Sequence, residues 1–97
     1  MRRDEVLRRL AQFAPELRSE HAVSTLAVFG SVARDVARQD SDVDLLVEFS
    51  RPVGLIAFNR LQIRLEEILG TRVDLTTRAA LRDSMRDAIL REAIRAA

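Results

Sequence analysis

From Asp42 to Phe49 the chain alternates, with Val43, Leu45, Val47 and Phe49 on one side and Asp42 and Asp44 at the head of the other. Such a half-buried strand cannot stand alone; it belongs in a sheet whose apolar face packs against other elements. The flanking segments supply those elements. Asp4 to Ser19 places Val6, Leu7, Leu10, Phe13, Ala14 and Leu17 on one side at helical spacing, with Pro15 expected to kink or shorten the helix. Ser24–Gly30 is a short, nearly continuous apolar run, expected as a strand covered on both faces. Ser31 is a good N-cap for a short helix to about Ala37, before a polar loop, Arg38–Ser41. Gly54–Leu69 reads as a helix with Phe58, Leu61, Leu65, Ile68 and Leu69 inward and Gly70 as its stop. A strand is expected over Thr71–Thr76. Thr77 is expected to cap a last helix reaching almost to Ala97, with Leu81, Met85, Ala88 and Ile89 inward and Leu90 and Ile94 off the stripe, suited to an interface if exposed. The order α-β-α-β-α-β-α predicts an α/β domain over residues 1–97 with a small three-stranded mixed sheet.

A chain of 97 residues has room for one core. It has no apolar run long enough for a transmembrane helix, its charged N-terminus is unlike a secretory leader, and it has no cysteine. A cytoplasmic protein without disulfides or thiolate metal ligands is the simplest expectation. The 16 basic residues are nearly balanced by 15 acidic ones, which argues against general nucleic-acid coating. All the basic residues are arginine, so Schiff-base lysines and Walker-type lysines are excluded.

Chemistry concentrates at three places. Gly30-Ser31 stands at a strand-to-helix junction, where glycine lets a ligand approach the backbone and the helix start offers free N–H groups to phosphate. Alone, a Gly-Ser pair is more often a plain turn. Asp42 and Asp44, at i and i+2 on a strand, share a face with Cα atoms about 6.5–7 Å apart. They can converge on one hard cation, although an isolated Asp-x-Asp is more often a solvated strand face. Asp74 interrupts the β-rich Val73-Asp74-Leu75. If its strand lies beside the second, three carboxylates meet, and magnesium is the natural way to relieve their repulsion.

Together these residues resemble a known family. Gly30-Ser31, ten intervening residues and Asp42-x-Asp44 are similar to the pattern of the DNA polymerase beta-like nucleotidyltransferase superfamily. Phe29-Gly30-Ser31-Val32-Ala33-Arg34 with Ser41-Asp42-Val43-Asp44-Leu45-Leu46-Val47 and the later Asp74 resembles its minimal nucleotidyltransferase (MNT) members over nearly the whole chain. The resemblance implies Mg2+ held by Asp42 and Asp44, with Asp74 completing a second metal position, activating the acceptor hydroxyl, or both. It implies phosphates held by Ser31 and the backbone at Gly30, with Arg34 as a charge partner. Arg34 reads equally well as a surface residue paired with Asp35 or Asp40. The family usually has glycine where this chain has Asp35. Aspartate tolerates a left-handed backbone better than most residues, so the turn is expected to persist, with an added negative charge near the phosphates.

MNT proteins of this size resemble the antitoxin half of a pair whose toxin is a helical HEPN ribonuclease. The activity implied is transfer of AMP from ATP to a toxin tyrosine, within a hetero-oligomer and without membrane or direct nucleic-acid binding. The chain has no tyrosine and so cannot be its own tyrosine acceptor. A non-catalytic antitoxin acting by occlusion is the alternative, and transfer to a small molecule is disfavoured by the missing second domain. His21 reads as a surface residue. Arg78, Arg82 and Arg86, an i, i+4, i+8 row beside Asp83 and Asp87, read as a solvated, internally paired face or a docking surface.

Overall fold

A computed structural model describes residues 1–38 and 41–97. Helices α1 (Arg3–Gln12) and α2 (Ala14–His21) precede strand β1 (Val23–Phe29), the short helix α3 (Gly30–Ala33) and strand β2 (Val43–Phe49). Helix α4 (Leu55–Leu69), strand β3 (Val73–Thr77), a 3-10 turn (Arg78–Ala80), helix α5 (Asp83–Glu92) and strand β4 (Ile94–Arg95) complete the order. The sheet runs β3-β2-β1-β4, with β2 and β3 parallel and the other pairs antiparallel.

The mixed α/β architecture agrees with the sequence, but the sheet has four strands, not three. The expected last helix stops at Glu92, and Ile94 enters β4 opposite Val28. The N–H groups of Ala96 and Ala97 both donate to the Leu26 carbonyl (2.8 and 3.1 Å). Extended chain here satisfies backbone groups of β1 that would otherwise form an open edge, which more helix could not do. Met85 and Ala88 are exposed rather than inward, Leu81 is half-covered, and Ile89 alone is buried along α5. Ile94 packs against the core, not on a free helix face.

The core lies on the sheet face carrying Val43, Leu45 and Val47, joined by Leu26 and Val28 of β1 and Val73 and Leu75 of β3. Val6 and Leu10 of α1, Leu17 of α2, and Leu61, Leu65, Ile68 and Leu69 of α4 close it. Strand β1 is fully covered on one face only; Ala27 and Phe29 are half-covered. Its register shifts between Val23 and Thr25, and the extra residue brings both Val23 and Leu26 into the core despite their odd spacing.

The first helical pattern breaks into two helices at Phe13 (φ −98°, ψ 7°). Pro15 falls in the opening turn of α2, where its missing N–H costs nothing; continued helix would have set its ring against a carbonyl one turn back. Arg64 of α4 ties α2 down with a two-pronged pair to Glu16 (2.5 and 2.9 Å) and lies over the Phe13 ring. Arg9 of α1 donates to the end carbonyls of α4, Ile68 (3.4 Å) and Leu69 (3.2 Å).

Helix α3 is one turn, not two. Asp35 adopts φ +59°, its N–H donates to the Val32 carbonyl (3.0 Å), and the Val36 N–H donates to the Ser31 carbonyl (3.0 Å). This paired closure normally places glycine in the left-handed position. Aspartate therefore takes the glycine conformation at a modest strain. Asp35→Gly is expected to leave stability level or raise it by under about 1 kcal/mol, part of the relief being offset by a freer unfolded chain. A drop of several degrees in thermal melting would contradict this account of the turn.

Candidate active site

Parallel pairing sets Asp44 directly beside Asp74, as Val43 is beside Val73. Antiparallel pairing sets Asp44 opposite Phe29, the residue before Gly30. The fold therefore gathers Gly30, Asp44 and Asp74, from three strand ends, at one edge of the sheet, with Asp42 one step before β2. The start of β3 is fixed by α4: the Glu66 carboxylate accepts from the Val73 N–H (3.0 Å) and the Gln62 side chain donates to the Val73 carbonyl (3.3 Å). Neither residue stood out in the sequence, because a polar residue on a helix flank looks like any solvated one.

Gly30 has φ +72°, and a Cβ there would overlap Asp44 Oδ2 and come within 3.0 Å of Asp44 Cγ. Two independent reasons, backbone and space, thus demand glycine. Asp44 is half-buried, and its carboxyl is pushed up to about 6, first by loss of solvent, then by the charge and hydrogen bond of Asp74 and the charge of Asp42. The Arg34 guanidinium acts in the opposite sense without cancelling them. Asp42 is more open and sits 3.6 Å from the guanidinium of the exposed Arg72.

Among the described residues no group of three His, Cys, Asp or Glu side chains already encloses a space for a metal ion. Asp42 leans toward Arg72, while Asp44 and Asp74 meet as a pair. The donors nevertheless suit a hard divalent cation: all are carboxylate oxygens, and the surplus negative charge that raises Asp44 is what such an ion neutralises.

Ser31 is half-covered in the first turn of α3. Arg34 is exposed and pairs with Glu92 at the end of α5 (3.0 Å), rather than with Asp35; Asp40 lies outside the described residues. The other Glu92 oxygen accepts from the Gly30 N–H (2.9 Å). Glu92 was not singled out in the sequence, although an acid in the last turn of a helix opposes the helix dipole and marks a position with another task.

The remaining sequence candidates lie apart from the carboxylates or hold no special position. Arg78 is in the 3-10 turn and pairs with Glu48 (3.5 Å), while Arg86 pairs with Asp83 (3.2 Å), so the expected arginine row is not continuous on one helix. His21 ends α2 beside a concavity of about 450 Å3 bounded also by Glu16, Arg51 and Arg60. That concavity sits at the opposite ends of β1 and β2 from Gly30 and Asp44.

A match to the nucleotidyltransferase domain family spans residues 8–96. The chain belongs to the nucleotidyltransferase family. It is 38% identical over 91 residues to the protein adenylyltransferase MntA of Thermococcus cleftensis, covering 94% of this chain and 92% of that one. A solved structure assigned as a minimal nucleotidyltransferase superposes with a TM-score of 0.80 at 41% identity, over 97% of this chain and 95% of that one. A toxin–antitoxin crystal structure with AMP-PNP shares the fold, with a TM-score of 0.71 at 18% identity over 90% of this chain and 72% of that one. So does a complex of a tri-AMPylated Shewanella oneidensis HEPN toxin with its MNT antitoxin, with a TM-score of 0.65 at 16% identity over 94% and 71%. The protein is thus a nucleotidyltransferase of the minimal type. Among its described residues no helix is long and apolar enough to cross a membrane.

Proposed function

We propose that this nucleotidyltransferase moves AMP from ATP to a hydroxyl, a tyrosine side chain, of a HEPN-type toxin, acting in the cytoplasm as that toxin's antitoxin from a single domain. One observation carries the catalytic part: Asp44 stands beside Asp74 and against Gly30, a glycine position with no room for a side chain, under a surplus of negative charge. The adenylyl group and the toxin partner are supported by the MntA relative and by the toxin–antitoxin structures that share the fold.

In this reading Asp42, Asp44 and Asp74 would hold Mg2+, which would supply charge neutralisation at the phosphates and the leaving pyrophosphate. The acceptor oxygen forms a bond to the α-phosphorus as the bond to the β-phosphate bridging oxygen breaks, and Asp74 accepts the hydroxyl proton. The Gly30 N–H, the Ser31 hydroxyl and Arg34 grip phosphate oxygens and fix the line of attack. Leu55, Ile56 and Ile63 of α4 are exposed, apolar side chains that a partner could cover.

Occlusion without catalysis is the second reading, favoured by Glu92 engaging both Gly30 and Arg34 and by Asp35 in the family's glycine position. A transfer assay with α-phosphate-labelled ATP, magnesium and the product of the neighbouring gene separates the two. Label is expected on the partner, and none with Asp42→Asn/Asp44→Asn. A partner that is bound and inhibited yet unlabelled would sink the catalytic reading.

A further inference from the structure

We propose that Glu92 is a built-in competitor for the phosphate seat, so that a nucleotide binds only by displacing this side chain. The inference rests on the nucleotide reading above and adds the regulation of its site. One Glu92 oxygen accepts from the Gly30 N–H at 2.9 Å and the other from Arg34 Nη1 at 3.0 Å. These are two of the donors assigned to phosphate, bridged by one anion as a pair of phosphate oxygens would bridge them. The Gly30 N–H has one proton to give, and a phosphate oxygen seated on it would meet the Glu92 carboxylate as a like charge, so the two anions compete there; Arg34, with further N–H groups, is freed for the phosphate when Glu92 leaves.

The placement of Glu92 is not explained by its own helix. It occupies the last turn of α5, where the backbone carbonyls already concentrate negative potential and an acid is unfavourable. Its backbone is held by α5 before it and by the residues after it: Ala93 closes α5 through its N–H to the Ile89 carbonyl (3.0 Å), and Ile94 pairs with Val28 in the sheet. The side chain is about one quarter exposed, and Arg34 is more open still. The carboxylate can therefore swing to solvent by side-chain rotation alone, leaving α5 and β4 in place. With the seat empty, Glu92 satisfies a backbone N–H that would otherwise lack a partner and neutralises Arg34. A ligand must replace both interactions, which a polyphosphate does with several charged oxygens and a neutral nucleoside does not.

Calorimetric binding of inorganic tripolyphosphate, MgATP and adenosine to the wild type, Glu92→Gln and Glu92→Ala tests this. If Glu92 holds the seat most of the time, its removal tightens apparent tripolyphosphate and MgATP binding by about three- to tenfold, and adenosine binding stays unchanged. Glutamine keeps the size of the side chain and can still accept from Gly30, so it is expected to show the smaller gain and to remain folded even if alanine does not. Unchanged or weaker tripolyphosphate binding in a folded Glu92→Gln protein, with the wild type binding MgATP, would overturn the competitor and leave the nucleotide reading intact. Absence of MgATP and tripolyphosphate binding in all three proteins would overturn both.

Discussion

Asp44→Asn is expected to lower nucleotidyl transfer by about a thousandfold or more while making the ligand-free protein more stable than the wild type at neutral pH. The two halves have one cause. Asp44 is half-buried beside Asp74 and near Asp42, and loss of solvent together with those charges holds its carboxyl at about 6. A carboxyl raised in the folded state binds its proton more tightly there than in the unfolded chain. Between the ordinary carboxylate value and about 6, the folded state carries the extra proton, so stability falls as pH rises through that window. Above it the wild type bears an ionised Asp44 among like charges, a cost partly screened by water. Asparagine keeps the shape and removes the charge, so its melting temperature should be flatter from pH 4 to pH 7 than that of the wild type. Magnesium should raise the wild-type melting temperature at pH 7 and leave Asp44→Asn nearly unmoved. A thousandfold loss corresponds to about 4 kcal/mol, within the several kcal/mol that charge stabilisation at a metal-held phosphate supplies. Melting curves at several pH values, with and without magnesium, check the first half, and labelled transfer checks the second. Asp44→Asn melting below the wild type at every pH would show that this side chain serves the fold rather than a cation.

The contrast with ordinary core positions explains what could be read from the sequence. Val43, Leu45 and Val47 announced their strand because burial on one face imposes a period of two, and Leu61, Leu65, Ile68 and Leu69 announced α4 because burial on one side imposes a period near 3.6. The same alternation placed Asp44 on the strand, while Asp42, also expected there, lies one residue ahead of β2. That Asp74 lies beside Asp44 depended on β3 pairing parallel to β2, a choice no local pattern states. The C-terminal segment was the failure. The pattern carried one helix from Thr77 almost to Ala97, and nothing nearby says that Ile94 leaves it to pair with Val28, because that preference comes from unsatisfied groups on β1, far away in sequence. Glu92 was missed for the same reason: its partners, Gly30 and Arg34, are about sixty residues earlier in the chain. Sequence patterns report what each segment buries, and the site is made by what distant segments exchange.

Gly30→Ala should be the most damaging alanine substitution among the three glycines, and a double-mutant cycle can say why. Alanine at φ +72° carries a backbone penalty of about 1–2 kcal/mol. Its Cβ would also overlap Asp44 Oδ2 and press on Asp44 Cγ (3.0 Å) and Cβ (3.2 Å). Turning the Asp44 carboxylate aside relieves the first contact but not the last, because that Cβ is fixed by the pairing of Asp44 with Phe29 and Asp74. The strand ends must therefore part. The melting temperature is expected to fall by roughly 5–20 °C, on the basis of 4–8 °C per kcal/mol for a domain of this size. Transfer should drop too, by about tenfold or more, since the Asp44 carboxylate must turn aside and its Cβ give way by a few tenths of an ångström at the reacting groups. Asp44→Ala removes Oδ2 and Cγ, which crowd the new methyl, but leaves the positive φ and the Cβ contact. The double variant Gly30→Ala/Asp44→Ala should therefore recover only the part of the loss that comes from the carboxylate, and lose less stability than the sum of the two single changes. If the losses simply add, the carboxylate is not what excludes a side chain at residue 30, and the backbone angle with the Cβ contact requires the glycine. If they do not, Gly30 and Asp44 form one unit, in which the absent side chain of the first sets the position of the carboxylate of the second.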